Sequence, residues 1–196
     1  MNDRTIALTL SHFKAIETAY NDYTKDKDED NKWFLVMEDD ACLDYQHLWP
    51  CSFQDLMDYI DNGGDTSRQN IGLCSLARLF RLSEEKNYSP SSLWEPLKYY
   101  GTTLAYMVRY DAVPGMLSSF YKSYLGESTG PPTKSLFVSD YEVFKSLQEP
   151  FYGIMMTMPW ITTVEHNKST IHSNHETFQK KCKSDFYQTF LQYSCE

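Results

Sequence analysis

The segment that decides the fold is WFLVMEDD, residues 33–40. Its first five residues are apolar without alternation, which is typical of a strand buried on both faces, as in a parallel sheet under helices. The acids Glu38, Asp39 and Asp40 follow at once, and Asp44 comes four residues later. We therefore expect the acids at the carboxyl end of a strand, where open α/β sheets bind their ligands.

Adjacent carboxylates at the edge of an apolar core repel one another and need a compact counter-charge. A divalent cation supplies one, and the hard carboxylate oxygens suit Mg²⁺ or Mn²⁺. A cation held by one or two carboxylates also keeps coordination positions open for substrate phosphates. The segment thus predicts a metal site, and the alternative interpretation is an ordinary acidic surface loop.

Helices and strands alternate on both sides of this segment. Before it, Phe13, Ile16 and Tyr20 recur at helical spacing after a cap at Thr9 or Ser11. Further helices are predicted from Ser52 to Gly63, from Asp111 to Tyr124, from Ser139 to Pro150 and over 174–194. Further strands are predicted over 71–76, 99–109 and 153–158. Residues 84–98 are expected to form a loop or lid. The pattern predicts one α/β domain over 1–196, with a mixed, mostly parallel sheet flanked by helices.

Composition narrows the class of protein. The 196 residues carry 18 basic and 27 acidic side chains, a net charge of −9 that disfavours a nucleic-acid binder. No apolar run approaches the ~18–20 residues that span a bilayer, and the start lacks the pattern of a signal peptide. The 5 cysteines are odd in number and widely spaced, which favours a reducing compartment. We expect a soluble cytoplasmic protein, or one of the host cytoplasm if the chain is viral.

Three segments together resemble the family-25 glycosyltransferases in order and spacing. They are SHFKAIETAYND (11–22), WFLVMEDDACLD (33–44) and YYGTTLAYMVRYDAVPGML (99–117). This family includes lipopolysaccharide sugar transferases, procollagen galactosyltransferases and relatives encoded by large DNA viruses. The resemblance is clear over 8–45 and 99–120 and looser over 136–172.

The resemblance implies a GT-A fold, without the usual first strand and helix because the chain starts at about the Ser-His segment. It also implies transfer of a sugar from a nucleoside diphosphate donor, a UDP-sugar, to a hydroxyl of a glycan or glycoprotein. Glu38, Asp39 and Asp40 would form a variant DXD motif. Asp40 would bind Mn²⁺ or Mg²⁺, and Glu38 or Asp39 would lie near the ribose and sugar of the donor.

Further roles are expected near the reacting groups. Asp140 is the candidate general base, since the family has an acid near the acceptor; alternatively it only stabilises a helix N-terminus. His172 is the candidate that completes the metal site, in competition with His166 and His175. His12 is expected to be a hydrogen-bonding structural residue that links helix and sheet.

The acceptor side is expected around residues 100–103. Tyr100, Gly101, Thr102 and Thr103 would lie beside the acceptor sugar, and glycine permits close approach of the chain. Trp160 would stack on a sugar face, or alternatively belong to the core.

Two other functions remain open on the sequence alone. One is a non-catalytic domain derived from a glycosyltransferase that binds a nucleotide sugar or a protein. The other is a carboxylate–metal phosphohydrolase, which would need further histidine or aspartate ligands at strand ends. The sequence shows no second cluster of that kind, which favours the transferase.

Overall fold

The computed structural model shows a mixed α/β fold built on a five-stranded sheet. The structure describes residues 3–26, 32–43, 46–49, 51–62, 70–77, 94–97, 102–125, 139–156 and 161–163. The helices are α1 (Asp3–Asp26), α2 (Phe53–Asn62), α3 (Val113–Leu125) and α4 (Ser139–Lys145). The strands are β1 (Trp33–Met37), β2 (Ala41–Cys42), β3 (Ile71–Ser75), β4 (Trp94–Pro96), β5 (Ala105–Arg109), β6 (Tyr152–Met156) and β7 (Thr162–Thr163). Within these ranges no helix is long and apolar enough to cross a bilayer.

The sheet has the strand order β1-β5-β3-β6-β4, and β2 pairs with β7 in a separate two-stranded sheet. The expected mixed sheet flanked by helices is confirmed. The expectation that it is mostly parallel is wrong, because among the described strands of this sheet only β3 and β6 pair in parallel, and the other three pairings are antiparallel. The cause is β5, which runs back between β1 and β3 and separates strands that share a direction.

Each face of the sheet has its own core. On one face, α1, α3 and α4 cover β1, β3 and β5, with side chains that include Phe13, Val36, Tyr106, Met116 and Val143. On the other face, Leu56 and Ile60 of α2 pack with Trp33 and Met107. The alternation of side chains along a strand explains this division, since residues 34 and 36 face one core and residue 33 faces the other.

The placement of β1 corrects one prediction. β1 was expected to be buried on both faces, but it is the edge strand of the sheet, and Leu35 and Met37 are 42% and 37% exposed. Trp33, at the start of the strand, is buried and donates its indole N–H to Asp61 of α2. A continuous apolar run therefore predicted the strand correctly but not its position in the sheet.

The predicted cap of the first helix at Thr9 or Ser11 is wrong, because α1 begins at Asp3 and both residues lie inside it. The predicted cap of α2 is confirmed. Ser52 and Asp55 form the predicted reciprocal cap of α2, since the Asp55 N–H donates to Ser52 Oγ at 3.1 Å and the Ser52 N–H donates to Asp55 Oδ2 at 3.0 Å. α4 begins at Ser139 as predicted. β4 lies in the stretch that was expected to be a loop or lid, and the predicted helix over 174–194 lies outside the described residues.

Gly72 of β3 lies where there is no room for a side chain. A Cβ there would be 2.9 Å from the Cβ of Phe151 and 3.0 Å from the Cβ of Ala112. We expect Gly72→Ala to lower the free energy of unfolding by about 1–3 kcal/mol, because the added methyl overpacks a rigid contact. Urea denaturation measures this change.

Gly115 provides the matched control. It lies in α3, where a Cβ would meet its nearest neighbour at an ordinary 3.5 Å. Gly115→Ala should raise the free energy of unfolding by about 0.4–1 kcal/mol, because alanine restricts the unfolded chain and favours the helix. Equal effects of the same sign in both variants would contradict the packing described for Gly72.

Candidate functional site

The three acids lie at the carboxyl end of β1, where the sequence predicted them. The N–H of Glu38 donates to the carbonyl of Leu104 at 2.9 Å and extends the ladder between β1 and β5 by one residue. The N–H of Ala41 then donates to the carbonyl of Glu38 at 3.2 Å and closes a turn. We call residues 38–40 the acidic turn; it connects β1 of the large sheet to β2 of the small one.

Two buried side chains contact Glu38, and a third contacts one of these two. Its Oε1 accepts a hydrogen bond from Thr103 Oγ1 at 2.8 Å and lies 3.2 Å from His12 Nε2, an ion-pair distance without hydrogen-bond alignment. The other ring nitrogen of His12, Nδ1, lies 3.1 Å from the hydroxyl of Tyr106. We call these four side chains the Glu38 anchor. It joins α1, β1 and β5, so His12 has the linking role expected for it.

Asp39 and Asp40 complete the acidic turn. Asp39 is exposed, whereas Asp40 is half-buried and its Oδ1 is shielded from solvent. Glu38 therefore fixes the turn from the inside, and Asp39 is the acid of the turn that is open to solvent. Among the described residues no three His, Cys, Asp or Glu side chains form a cluster able to hold a metal ion. Asp44 and His172 lie outside them.

The residues before β5 lie beside the acidic turn. Thr102 is half-buried and Thr103 is buried, and the bond from Thr103 to Glu38 brings this loop to the end of β1. The carboxyl end of β3 joins them, since Ser75 Oγ donates to the Thr102 carbonyl at 3.4 Å. Thr102, an expected acceptor residue, is thus close to the turn. Tyr100, Gly101 and Trp160, the other expected acceptor residues, lie outside the described part of the chain.

Asp140 occupies the first turn of α4, and its side chain is outside the described residues. α4 itself lies close to the Glu38 anchor, because the ring of Phe144 packs edge-on against Tyr106 with centroids 6.4 Å apart. Val143 is buried in the same core as Phe13 of α1. The general base and the helix-stabilising role both remain predictions for Asp140.

Sequence reasoning missed the long-range contacts of the Glu38 anchor. The partners Thr103 and Glu38 are 65 residues apart, and His12 and Tyr106 are 94 apart, so no local spacing indicates either contact.

Sequence reasoning also missed a cleft of about 370 Å³ that is lined by Lys32 and Tyr110, among others. Lys32 precedes β1 and the acidic turn follows it, about 20 Å away along an extended strand. One small ligand cannot occupy both places.

The Glu38 anchor should contribute measurably to stability. We expect Tyr106→Phe to lower the free energy of unfolding by about 1–3 kcal/mol, because it leaves buried His12 Nδ1 without the hydroxyl. Tyr121→Phe is the control, since the Tyr121 hydroxyl makes a partly buried contact of 3.4 Å with Glu17. Its loss should cost less than about 0.5 kcal/mol in the same urea titration. A loss no larger in Tyr106→Phe than in the control would contradict the anchor.

Comparisons with known proteins add no relative for this arrangement. No protein-family model, curated protein or solved structure matches the chain. The function is therefore inferred from the acidic turn, from the side chains that hold it, and from the three sequence segments around them.

Proposed function

We propose that the chain is a metal-dependent glycosyltransferase of GT-A type, similar to family 25. It would transfer a sugar from a nucleoside diphosphate donor, a UDP-sugar, to a hydroxyl of a glycan or glycoprotein. The observation that carries the proposal is the acidic turn: Asp39 and Asp40 follow β1 at its carboxyl end, while Glu38 is fixed beneath them by buried partners. This is the end of a strand at which α/β sheets bind ligands.

The residues of the acidic turn fit a divalent cation. Adjacent aspartates on a tight turn offer hard oxygen ligands of the kind that Mg²⁺ and Mn²⁺ prefer, and two such ligands keep positions open for phosphates. Asp40 would hold the ion, with His172 as a further ligand, and Asp39 would contact the donor. When bound, the ion would neutralise negative charge that develops on the departing diphosphate.

The Glu38 anchor supports this chemistry by keeping the turn in place. A binding site loses affinity and rate when its supporting side chains let it move, so buried hydrogen bonds beneath a ligand-binding turn are favourable. Oε1 of Glu38 is already engaged by Thr103 and His12. We therefore assign Glu38 a positioning role, with any contact to the donor ribose made by its other oxygen.

The acceptor would bind beside Thr102, and Asp140 would serve as the general base. In the transfer step the acceptor oxygen bonds to the anomeric carbon, and the bond from that carbon to the diphosphate oxygen breaks. The acceptor proton passes to the carboxylate of Asp140. The packing of α4 against Tyr106 supports this choice, since it brings the helix that carries Asp140 close to the Glu38 anchor.

Release of UDP tests the proposal. The full chain is incubated with UDP-glucose, UDP-galactose, UDP-N-acetylglucosamine or UDP-glucuronate, each with Mn²⁺ and, in parallel, with excess EDTA. We expect UDP to accumulate with at least one donor even without an acceptor, because many transferases slowly transfer the sugar to water. This accumulation should occur only when metal is present. Donor binding without release from any of them would instead favour a non-catalytic binding domain.

A further inference from the structure

β1 has one backbone edge that no strand in the described part of the chain covers. It is the first strand in the order of the sheet, and β5 covers its other edge. Two backbone hydrogen bonds show which residues of β1 direct their backbone groups towards β5. The Tyr110 N–H donates to the Lys32 carbonyl and the Glu38 N–H donates to the Leu104 carbonyl, each at 2.9 Å. In an antiparallel ladder the backbone groups of successive residues point to opposite edges. Even-numbered residues 32–38 therefore face β5.

The odd-numbered residues of β1 direct their backbone groups away from β5. These are Trp33, Leu35 and Met37, and among the described residues no strand pairs with them. Proteins usually protect such an edge with a charge, a proline or a bulge. β1 has none of these, and Leu35 and Met37 are 42% and 37% exposed. The strand has the composition of an interior strand at the position of an edge strand.

We propose that β1 pairs antiparallel with β1 of a second copy, about a two-fold axis through Leu35. Trp33 of each copy then faces Met37 of the other, and Leu35 faces Leu35. The backbone groups of these three residues point away from β5. Each pair of facing residues therefore exchanges two backbone hydrogen bonds. The five-stranded sheets join into one continuous sheet, and the exposed apolar side chains meet across the interface.

Charge favours a copy of this chain as the partner strand. In this register the exposed Lys32 of one copy lies opposite Glu38 of the other, so a positive charge lies near the acidic turn at both ends of an uncharged strand. Two copies that each carry a net charge of −9 repel one another, so an uncharged strand with a lysine at its start is a favourable place for them to meet. The edge of β1 is self-complementary in hydrogen bonding, in apolar side chains and in charge.

Sedimentation velocity of the full chain between roughly 1 and 200 μM tests the pairing independently of any enzymatic activity. We expect the wild type to dimerise and Leu35→Lys to weaken the dimer at least about tenfold, because two lysines would face each other across the axis. Leu35→Glu should do the same. Since Leu35 is exposed, both variants should keep the wild-type far-UV circular dichroism; if they fail to fold, Met37→Lys replaces them at the next outward position.

Mixing the two Leu35 variants tests the register itself. An equimolar mixture of Leu35→Lys and Leu35→Glu should restore the dimer, because the introduced lysine then faces the introduced glutamate. Leu43→Lys is the matched control: Leu43 is 43% exposed but follows β2 of the small sheet, so this variant should dimerise like the wild type. A monomeric wild type, a Leu35→Lys variant that dimerises normally, or a mixture that stays monomeric would overturn the proposal.

Discussion

Replacing Asp40 by asparagine is expected to abolish Mn²⁺-dependent binding of a UDP-sugar and to leave the fold intact. Asparagine keeps the shape of the side chain but removes the charge that holds a divalent cation. Loss of a residue that only supports a metal ligand typically costs about 10–100-fold in affinity or activity, and loss of the ligand itself should cost more. Titration of the donor with Mn²⁺ present, on wild type and variant, measures the change.

The stability of the same variant separates a metal ligand from a structural acid. Asp40→Asn removes one of three adjacent negative charges, so the midpoint of thermal unfolding should stay equal or rise. Asp58→Asn on α2 is the control, because Asp58 is exposed and the substitution makes the same change in charge. It should alter neither donor affinity nor stability appreciably. An unfolded Asp40→Asn protein, or one that binds donor like the wild type, would contradict the assignment of Asp40.

Asp140→Asn is expected to lower turnover by about 10²–10⁴-fold, the usual contribution of a positioned general base. The affinity for donor and Mn²⁺ should change little, because no proton moves when the donor binds. Asparagine also has nearly the same shape as aspartate and is compatible with the start of a helix. Measured turnover therefore reports on the proton acceptor more than on the integrity of α4.

A helix-stabilising role for Asp140 gives the opposite result. The free energy of unfolding would then fall by roughly 0.3–1 kcal/mol, from the lost interaction with the helix dipole, and turnover would fall only modestly. A thermal melt and a turnover assay on the same sample distinguish the two cases. Retention of more than about a tenth of wild-type turnover would exclude Asp140 as the base. The departing diphosphate would then have to take the proton of the acceptor.

Local sequence signals predicted several elements of the fold correctly. WFLVM at 33–37 is β1, and Ser52 with Asp55 caps α2, because in each case the signal and the structure involve neighbouring residues. The order of the strands was not predictable in this way. β5 inserts between β1 and β3, and this long-range choice turned an expected mostly parallel sheet into a mostly antiparallel one and left β1 at the edge.

The candidate site was likewise predictable where it depends on neighbouring residues and not where it depends on long-range contacts. The acidic turn was predictable, because three acids that directly follow an apolar strand must lie at its end. The Glu38 anchor was only partly predictable: His12 was expected to link helix and sheet, but its contacts with Glu38 and Tyr106 depend on the packing of α1 against the sheet. Long-range side-chain contacts of this kind leave no periodic signal in a single sequence.

Isothermal titration of UDP-sugars into the full chain, with and without Mn²⁺, tests the central claim most directly. Binding of a nucleoside diphosphate sugar at the acidic turn should require the cation, because Asp39 and Asp40 would otherwise repel the diphosphate. We expect heat of binding for at least one UDP-sugar in the presence of Mn²⁺ and none in its absence. Donor binding of equal strength without metal, or no binding to any nucleoside diphosphate sugar with metal present, would contradict the account.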